Sequence, residues 1–213
     1  MLAKTFQEIP DSELILRIAR GEKELFEMII RRYNQRLYRV GMSVLNDEQE
    51  AEDAMQSAYI SAYENLSKFE GRSSFGTWLT RIMLNQCYSQ QRKLKRTVLE
   101  IDPHDGNLNT KTPANILMNK ELNRTLENAV SSLPEKYRLV FVLREVEGLS
   151  VQETAEALNI DDSNVKVRLN RGKAMLRASL TAYLKTSMYD FHLSRCDRIA
   201  KQVMDYITTK ATN

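Results

Sequence analysis

Two stretches of the 213-residue chain carry cations and no acids, and binding a polyanion is the chemistry that they favour. There is no Asp or Glu from Gly71 to Leu99, and none from Ser163 to Thr186. Acids concentrate beside both stretches, so the net charge is only +3. A solvated helix face explains one such stretch as well, but two of them favour two separate contacts with nucleic acid.

The first stretch mixes aromatic rings with its cations. Phe75, Trp78 and Tyr88 alternate with Arg81 and with amide side chains. Rings among cations suit a single strand, because unstacked bases can lie on the rings while the backbone meets positive charge. Phe75 and Trp78 are also spaced like core residues of a helix, and spacing alone favours that interpretation.

The second stretch follows a predicted helix-turn-helix. Ser150 and Glu153 form an S-x-x-E capping box that opens a short helix, and Asn159 suits the left-handed turn that ends it. A longer helix, capped by Asp161, Asp162 or Ser163, comes next. Short polar groups and long cations at the start of such a helix suit the major groove and its phosphates. These side chains are Ser163, Asn164, Lys166, Arg168 and Arg171.

Helices must position both stretches, since 7 Gly and 4 Pro provide little turn chemistry for a sheet. Apolar residues at three-and-four spacing predict a four-helix bundle that ends near Arg96. Further helices are predicted from about Ala114, and Pro134 is expected at the first position of one of them. Asp11 or Ser12 is the predicted cap of the first helix. We predict an all-α chain of two small domains: 1–97, a flexible linker at 98–113, 114–186 and a helical extension at 187–213.

Several classes of protein are disfavoured. No apolar run reaches the roughly 20 residues of a membrane span, and the N-terminus lacks a signal peptide, so we expect a cytoplasmic protein. No phosphate-binding glycine loop or nucleophile elbow is present, and both histidines lie outside the helical domains, which argues against an enzyme. His192 and Cys196 are four residues apart and amount to half of a zinc site; we favour a packing helix there and predict no metal and no cofactor.

Three segments in this order resemble the extracytoplasmic-function (ECF) group of sigma factors. Residues 50–93 resemble its region two, including the F-x-G-x-S-x-F-x-x-W-L pattern that starts at Phe69. The segment LPEKYRLVFVLREVEGLSVQETAEALNI resembles the start of its region four. NVKVRLNRGKAML is similar to its recognition helix, although Val167 replaces a small polar residue and Gly172 replaces an alanine.

The resemblance implies a role for each matching residue. Asp53 and Gln56 match positions that dock on core RNA polymerase. The −10 non-template strand is assigned to Asn65, Lys68, Phe69, Gly71, Ser73, Ser74, Trp78, Arg81 and Asn85. The −35 duplex is assigned to Ser163, Asn164, Lys166, Arg168 and Arg171.

The partners implied are therefore core RNA polymerase and promoter DNA, as duplex and as single strand. The family also implies an anti-sigma factor, which no residue of this chain demonstrates. The alternative function is a dimeric helix-turn-helix regulator with an N-terminal sensor bundle. Such a regulator has no need of the loop and helix from Asn65 to Asn85.

Overall fold

The structure, a computed structural model, describes residues 9–100, 117–187 and 198–204. Every regular element in these ranges is helical, which confirms the predicted all-α class. Short 3₁₀ turns occur at Lys23–Leu25 and Leu66–Lys68, and a π-helical turn at Val142–Val146. The longer helices are α1 (Asp11–Ala19), α2 (Phe26–Leu45), α3 (Glu48–Glu64), α4 (Phe75–Glu100), α5 (Leu117–Ser131), α6 (Glu135–Phe141), α7 (Val151–Leu158) and α8 (Asp162–Ser187). None of the described helices is both long and apolar enough to cross a bilayer.

Helices α2, α3 and α4 pack against one another around an apolar core, to which α1 contributes Leu14 and Ile18. Leu37, Leu79 and Met83 are completely buried, and each such side chain contributes roughly 1.5–3 kcal/mol to folding. Gly41 allows α2 to approach α3 closely, because a Cβ there would lie 3.0 Å from the Cβ of Ala51. This core holds α4, with its basic stretch, in a fixed orientation.

Helices α3 and α1 begin in different ways. The Asp47 carboxylate accepts the Glu50 N–H at 2.9 Å and caps α3. Helix α1 begins at Asp11 without a side-chain cap, so the predicted capping by Asp11 or Ser12 is wrong. Asp11 instead accepts hydrogen bonds from Arg32 and Tyr33 of α2. These partners lie 21 and 22 residues away, which local patterns do not reveal.

The helix-turn-helix is confirmed in its details. The Ser150 hydroxyl accepts the Glu153 N–H at 3.1 Å, and the Glu153 carboxylate accepts the Ser150 N–H at 2.8 Å. Asn159 ends α7 in the left-handed conformation, with φ 52° and ψ 49°. Asp161 then accepts the Asn164 N–H at 2.8 Å at the start of α8. The turn therefore sets the angle at which α8 leaves α7.

Helices α6 and α7 pack on the bundle that precedes them in sequence. Leu139 and Leu143, on α6 and the π-helical turn, belong to the same buried cluster as Leu79 of α4, and so does Ala157 of α7. A second, smaller cluster lies inside the helix-turn-helix itself and centres on Val165. The bundle formed by α1–α4 and the α6–α7 pair thus share one apolar core.

Some predicted boundaries shift by a few residues. Helix α4 continues to Glu100, past the predicted end near Arg96, because its last turns are rich in good helix formers. Pro134 is the N-cap of α6 rather than its first helical residue. From residue 101 to residue 113 the predicted linker lies outside the described residues, as does the predicted start of the following helix near Ala114.

The chain divides into two compact units, Met1–Leu176 and Arg177–Asn213. In the second unit, residues 198–204 are helical, with Ile199 and Val203 about half exposed. His192 and Cys196, the weak candidates for metal binding, lie outside the described residues.

Replacing Gly172 by alanine is expected to raise the free energy of unfolding by about 0.5–1 kcal/mol, since alanine is the better helix former. A Cβ on Gly172 would lie 3.4 Å from the Tyr137 carbonyl oxygen, an ordinary contact. Gly76→Ala is the matched control with the opposite sign. Its Cβ would lie 2.5 Å from Arg36 Nη1 and 2.9 Å from the Tyr33 ring. Urea unfolding of both variants measures the two changes; destabilisation by Gly172→Ala would contradict this packing.

Candidate nucleic-acid interface

One face of α4 carries a stripe of cationic, amide and aromatic side chains. Arg81 and Asn85 are exposed, and Trp78 is half-buried one turn earlier. Tyr88 and Arg92 continue the same stripe at helical spacing, and Tyr88 keeps 36% of its surface exposed. The stripe therefore extends two turns beyond the residues assigned from the sequence. Helical periodicity applied from Arg81 onward is the signal that predicts the extension.

The loop before α4 places the other residues assigned to the single strand. Lys68 Nζ donates to Asn65 Oδ1 at 2.6 Å, so these two side chains form a pair. Gly71 has a φ of 70°, which favours glycine and turns the chain toward α4. Ser73 is half-buried, and the exposed Ser74 accepts the Thr77 N–H at 3.2 Å as the cap of α4.

An aromatic cluster joins the loop to α4. The ring centroids of Phe69, Phe75 and Trp78 lie 5.4 Å apart in each pair, and Tyr33 adds a further edge contact to Phe75. Phe75 is buried, as its helical spacing predicts, whereas Phe69 and Trp78 are partly exposed. The cluster leaves two ring surfaces accessible next to the cations of α4, where a base could stack.

Helix α8 presents most of the residues assigned to the duplex. Ser163, Asn164, Lys166 and Arg171 are exposed. Arg168 is half-buried and lies close enough to Tyr88 of α4 to offset part of the rise that burial causes in the pKa of that tyrosine. Four of the five assigned side chains thus face outward, and Arg168 faces the bundle.

Other side chains of α8 are exposed or contact the neighbouring helices. Val167 and Asn170 are exposed among the assigned residues, although neither was assigned from the sequence. Arg171 donates to the phenol of Tyr137 and thereby lowers its pKa. Lys173 forms an ion pair with Glu145 at 2.9 Å, which ties α8 to the end of the π-helical turn.

Asp161 is expected to titrate with a pKa of about 2, because Ser163 and Asn164 donate hydrogen bonds to its carboxylate. A pKa lowered from 3.8 means that this cap stabilises the fold above pH 3.8 and loses its effect as the pH falls toward 2. Carbon-13 NMR of the side-chain carboxyl measures the value. A titration near pH 3.8 in the folded protein would show that the cap does not form in solution, and Asp161→Ala is the control for assignment.

The residues assigned to polymerase lie on a different helix. Asp53 and Gln56 are exposed on α3, three residues apart. Ile60, one turn further on, is 54% exposed, which is unusual for an isoleucine in this bundle. The three side chains form a continuous outward face with acid, amide and apolar chemistry, and Ile60 was missed by the sequence assignments.

Polar contacts reinforce the shared core between the bundle and the α6–α7 pair. Glu147, whose side chain is only 8% exposed, lies 3.3 Å from Arg36 and 2.9 Å from Arg39. Arg138 donates to the Ser43 carbonyl at 2.7 Å. We call these contacts, together with those of Glu153 described next, the closing contacts.

Glu153 of α7 links the helix-turn-helix to the start of α4. Its carboxylate lies 3.3 Å from the Ser74 hydroxyl and 3.4 Å from that of Thr77. Hydrogen bonds from the Ser150 N–H and hydroxyl are the main cause of its lowered pKa, with Ser74 and Thr77 adding to it. One carboxylate therefore both caps α7 and contacts the hydroxyl groups of Ser74 and Thr77 at the start of α4.

A bundle with a basic, aromatic helix face, followed by a helix-turn-helix with a basic second helix, defines a two-part DNA-binding protein. The family model for Sigma-70 region 2 matches residues 29–97, and that for Sigma-70, region 4 matches residues 123–176. The ECF sigma factor SigW of Bacillus subtilis is 33% identical over 180 residues, which cover 78% of this chain and 94% of SigW. The chain belongs to the ECF sigma factors, and it directs core RNA polymerase to promoters.

Other relatives agree over similar lengths. The RNA polymerase sigma-H factor of Pseudomonas aeruginosa is 28% identical over 185 residues, covering 82% of this chain and 96% of that protein. Among solved structures, CnrH in complex with the cytosolic domain of CnrY matches with a TM-score of 0.60 and 26% identity, covering 81% of this chain and 97% of CnrH. RpoE of Bartonella quintana, solved with the anti-sigma factor NepR, matches in fold with a TM-score of 0.59 and 21% identity, covering 73% and 96%. Matches to both sigma regions disfavour the regulator alternative.

Proposed function

We propose that this sigma factor divides promoter recognition between its two surfaces. The loop from Asn65 to Ser74 and the α4 stripe capture the −10 non-template strand, and the outward face of α8 reads the −35 duplex. The observation that carries the proposal is the difference in chemistry between them. At the α4 surface the partly exposed rings of Phe69 and Trp78 have centroids 5.4 Å apart and lie next to the cations of α4, whereas the outward face of α8 offers amides, a hydroxyl and cations suited to a groove.

Core RNA polymerase docks on the α3 face in this account. Asp53 and Gln56 provide polar contacts and Ile60 provides apolar area at its edge. The polymerase forms every phosphodiester bond. The sigma factor selects the promoter and captures the single strand, and it is not itself an enzyme. Since its template and polymerase are in the cytoplasm, it acts there.

Reading both elements requires the closing contacts to break. The names of the elements place them about 25 base pairs apart, on the order of 80 Å of duplex. A compact unit the size of Met1–Leu176 has a radius of gyration of about 16 Å, hence a diameter near 40 Å. The bundle and the helix-turn-helix therefore separate when both bind a promoter.

An anti-sigma factor is the further partner that we propose. Among solved structures of similar fold, RpoE is in complex with the anti-sigma factor NepR, and CnrH is in complex with the cytosolic domain of CnrY. A partner that held the bundle against the α6–α7 pair would keep the factor from spanning a promoter. Affinity capture from the native cell, with the chain intact, identifies such a partner or shows that none binds.

Run-off transcription from a genomic promoter library, with core polymerase alone and with this chain added, tests the proposal. Transcripts that depend on the chain and share two upstream elements at a common spacing are expected. Binding of duplex DNA by a dimer, with no chain-dependent transcript, would instead favour the regulator.

A further inference from the structure

The outward face of α8 is fixed by the side that packs. Val165 is completely buried and Gly172 lies against Tyr137, so the opposite side of the helix points to solvent. Val167 lies on that opposite side and keeps 46% of its surface exposed. It is in the second turn of the helix, within the part that a groove about 8.5 Å deep can hold.

The neighbours of Val167 on this face are all polar. Asn164 and Asn170 lie three residues before and after it, Arg171 lies four after it, and all three are exposed. A β-branched residue is a weaker helix former than the common surface residues, so local helix formation does not favour a valine here. An apolar branched side chain thus stands at the centre of a hydrogen-bonding surface.

We propose that Val167 contacts the C5 methyl group of a thymine in the −35 element and is a specificity-determining residue of this sigma factor. The thymine methyl is the one apolar group that base pairs present in the major groove, and apolar side chains pair with it. The surrounding amides and guanidinium provide donors and acceptors for adjacent base edges. The inference rests on the proposed reading of the −35 duplex by α8.

Replacing thymine by deoxyuridine removes the methyl group and leaves every hydrogen-bonding group in place. Each thymine of a −35 element, identified by the run-off experiment, is therefore replaced singly in a synthetic promoter. For the unaltered chain, we expect one position at which the replacement lowers transcription about three- to fivefold, the effect of one buried carbon group. For Val167→Ser, the same replacement is expected to have no effect. Val167 is exposed, so the variant keeps the fold.

Asn170→Ala is the matched control on the same face and should retain the sensitivity to deoxyuridine. Equal sensitivity in the unaltered chain and in Val167→Ser, or no sensitive thymine at all, would overturn the inference while chain-dependent transcription still supported the proposed function. Loss of all chain-dependent transcription from every promoter would instead reject the proposed function, and the inference with it.

Discussion

Reversing the charge of Glu147, by Glu147→Arg, is expected to open the closing contacts and to raise transcription when core polymerase is limiting. Glu147 is nearly buried between Arg36 and Arg39, so an arginine there would place three cations together. Removing one partner of a buried pair costs about 3–5 kcal/mol, and the partial exposure of both arginines reduces this to roughly 2 kcal/mol. That shifts the closed-to-open ratio about 30-fold.

In the closed form, in which the closing contacts are made, the chain cannot span a promoter. The population of this form therefore lowers the apparent affinity of the chain for polymerase and promoter. Small-angle scattering of Glu147→Arg should give a larger radius of gyration, and run-off transcription should reach its half-maximum at a lower concentration of the chain. Arg39→Glu combined with Glu147→Arg restores an opposite-charge pair and should reverse part of both effects. Glu24→Arg makes the same charge change at an exposed position and serves as the control. Unchanged scattering by folded Glu147→Arg would contradict the role of these contacts.

Removing two cations from α8, by Lys166→Ala with Arg171→Ala, is expected to lower −35-dependent transcription about 100-fold. Both side chains are exposed on the outward face of the helix. Removing an arginine that contacts a base edge costs about 1–3 kcal/mol, and removing a lysine that contacts a phosphate weakens binding to all sequences similarly and lowers its salt dependence. Transcription and duplex binding measured across a range of salt concentrations separate the two contributions.

The control for that pair removes the same charge elsewhere. Arg20→Ala with Lys23→Ala alters two exposed cations that follow α1. This control should keep transcription within about twofold, since surface substitutions away from a contact change little. Equal losses in both double variants would mean that overall charge, and no specific face of α8, accounts for DNA binding.

Local chemistry made the helix-turn-helix predictable. Ser150, Glu153 and Asn159 act through neighbours three or four residues away, and the sequence displays such neighbours directly. The family resemblance likewise located the loop and α8. The role of Arg168 at the bundle and the pairing of Glu147 with Arg39, 108 residues apart, depend on how helices pack, which no local pattern contains.

The candidate site was predictable in type and less so in extent. Cations among rings indicated single-strand binding, and helical periodicity places Tyr88 and Arg92 in line with Arg81, but the exposure of these side chains depends on how α4 packs in the bundle. Asp11 is a case in which the local pattern misled. It is a good capping residue at the start of a helix, but its carboxylate accepts hydrogen bonds from Arg32 and Tyr33 of another helix. A long-range ion pair with Arg32 and a hydrogen bond from Tyr33 replace local capping there.

Site-specific photocrosslinking distinguishes a surface that holds single strand from one that holds duplex. A crosslinking amino acid replaces Asn85 on α4 or Asn170 on α8, both exposed, in a complex with core polymerase and promoter. Position 85 is expected to crosslink the non-template strand at the −10 element, and position 170 the duplex at the −35 element. Crosslinks from both positions to the same duplex segment, without polymerase, would show that the two surfaces do not divide single strand from duplex.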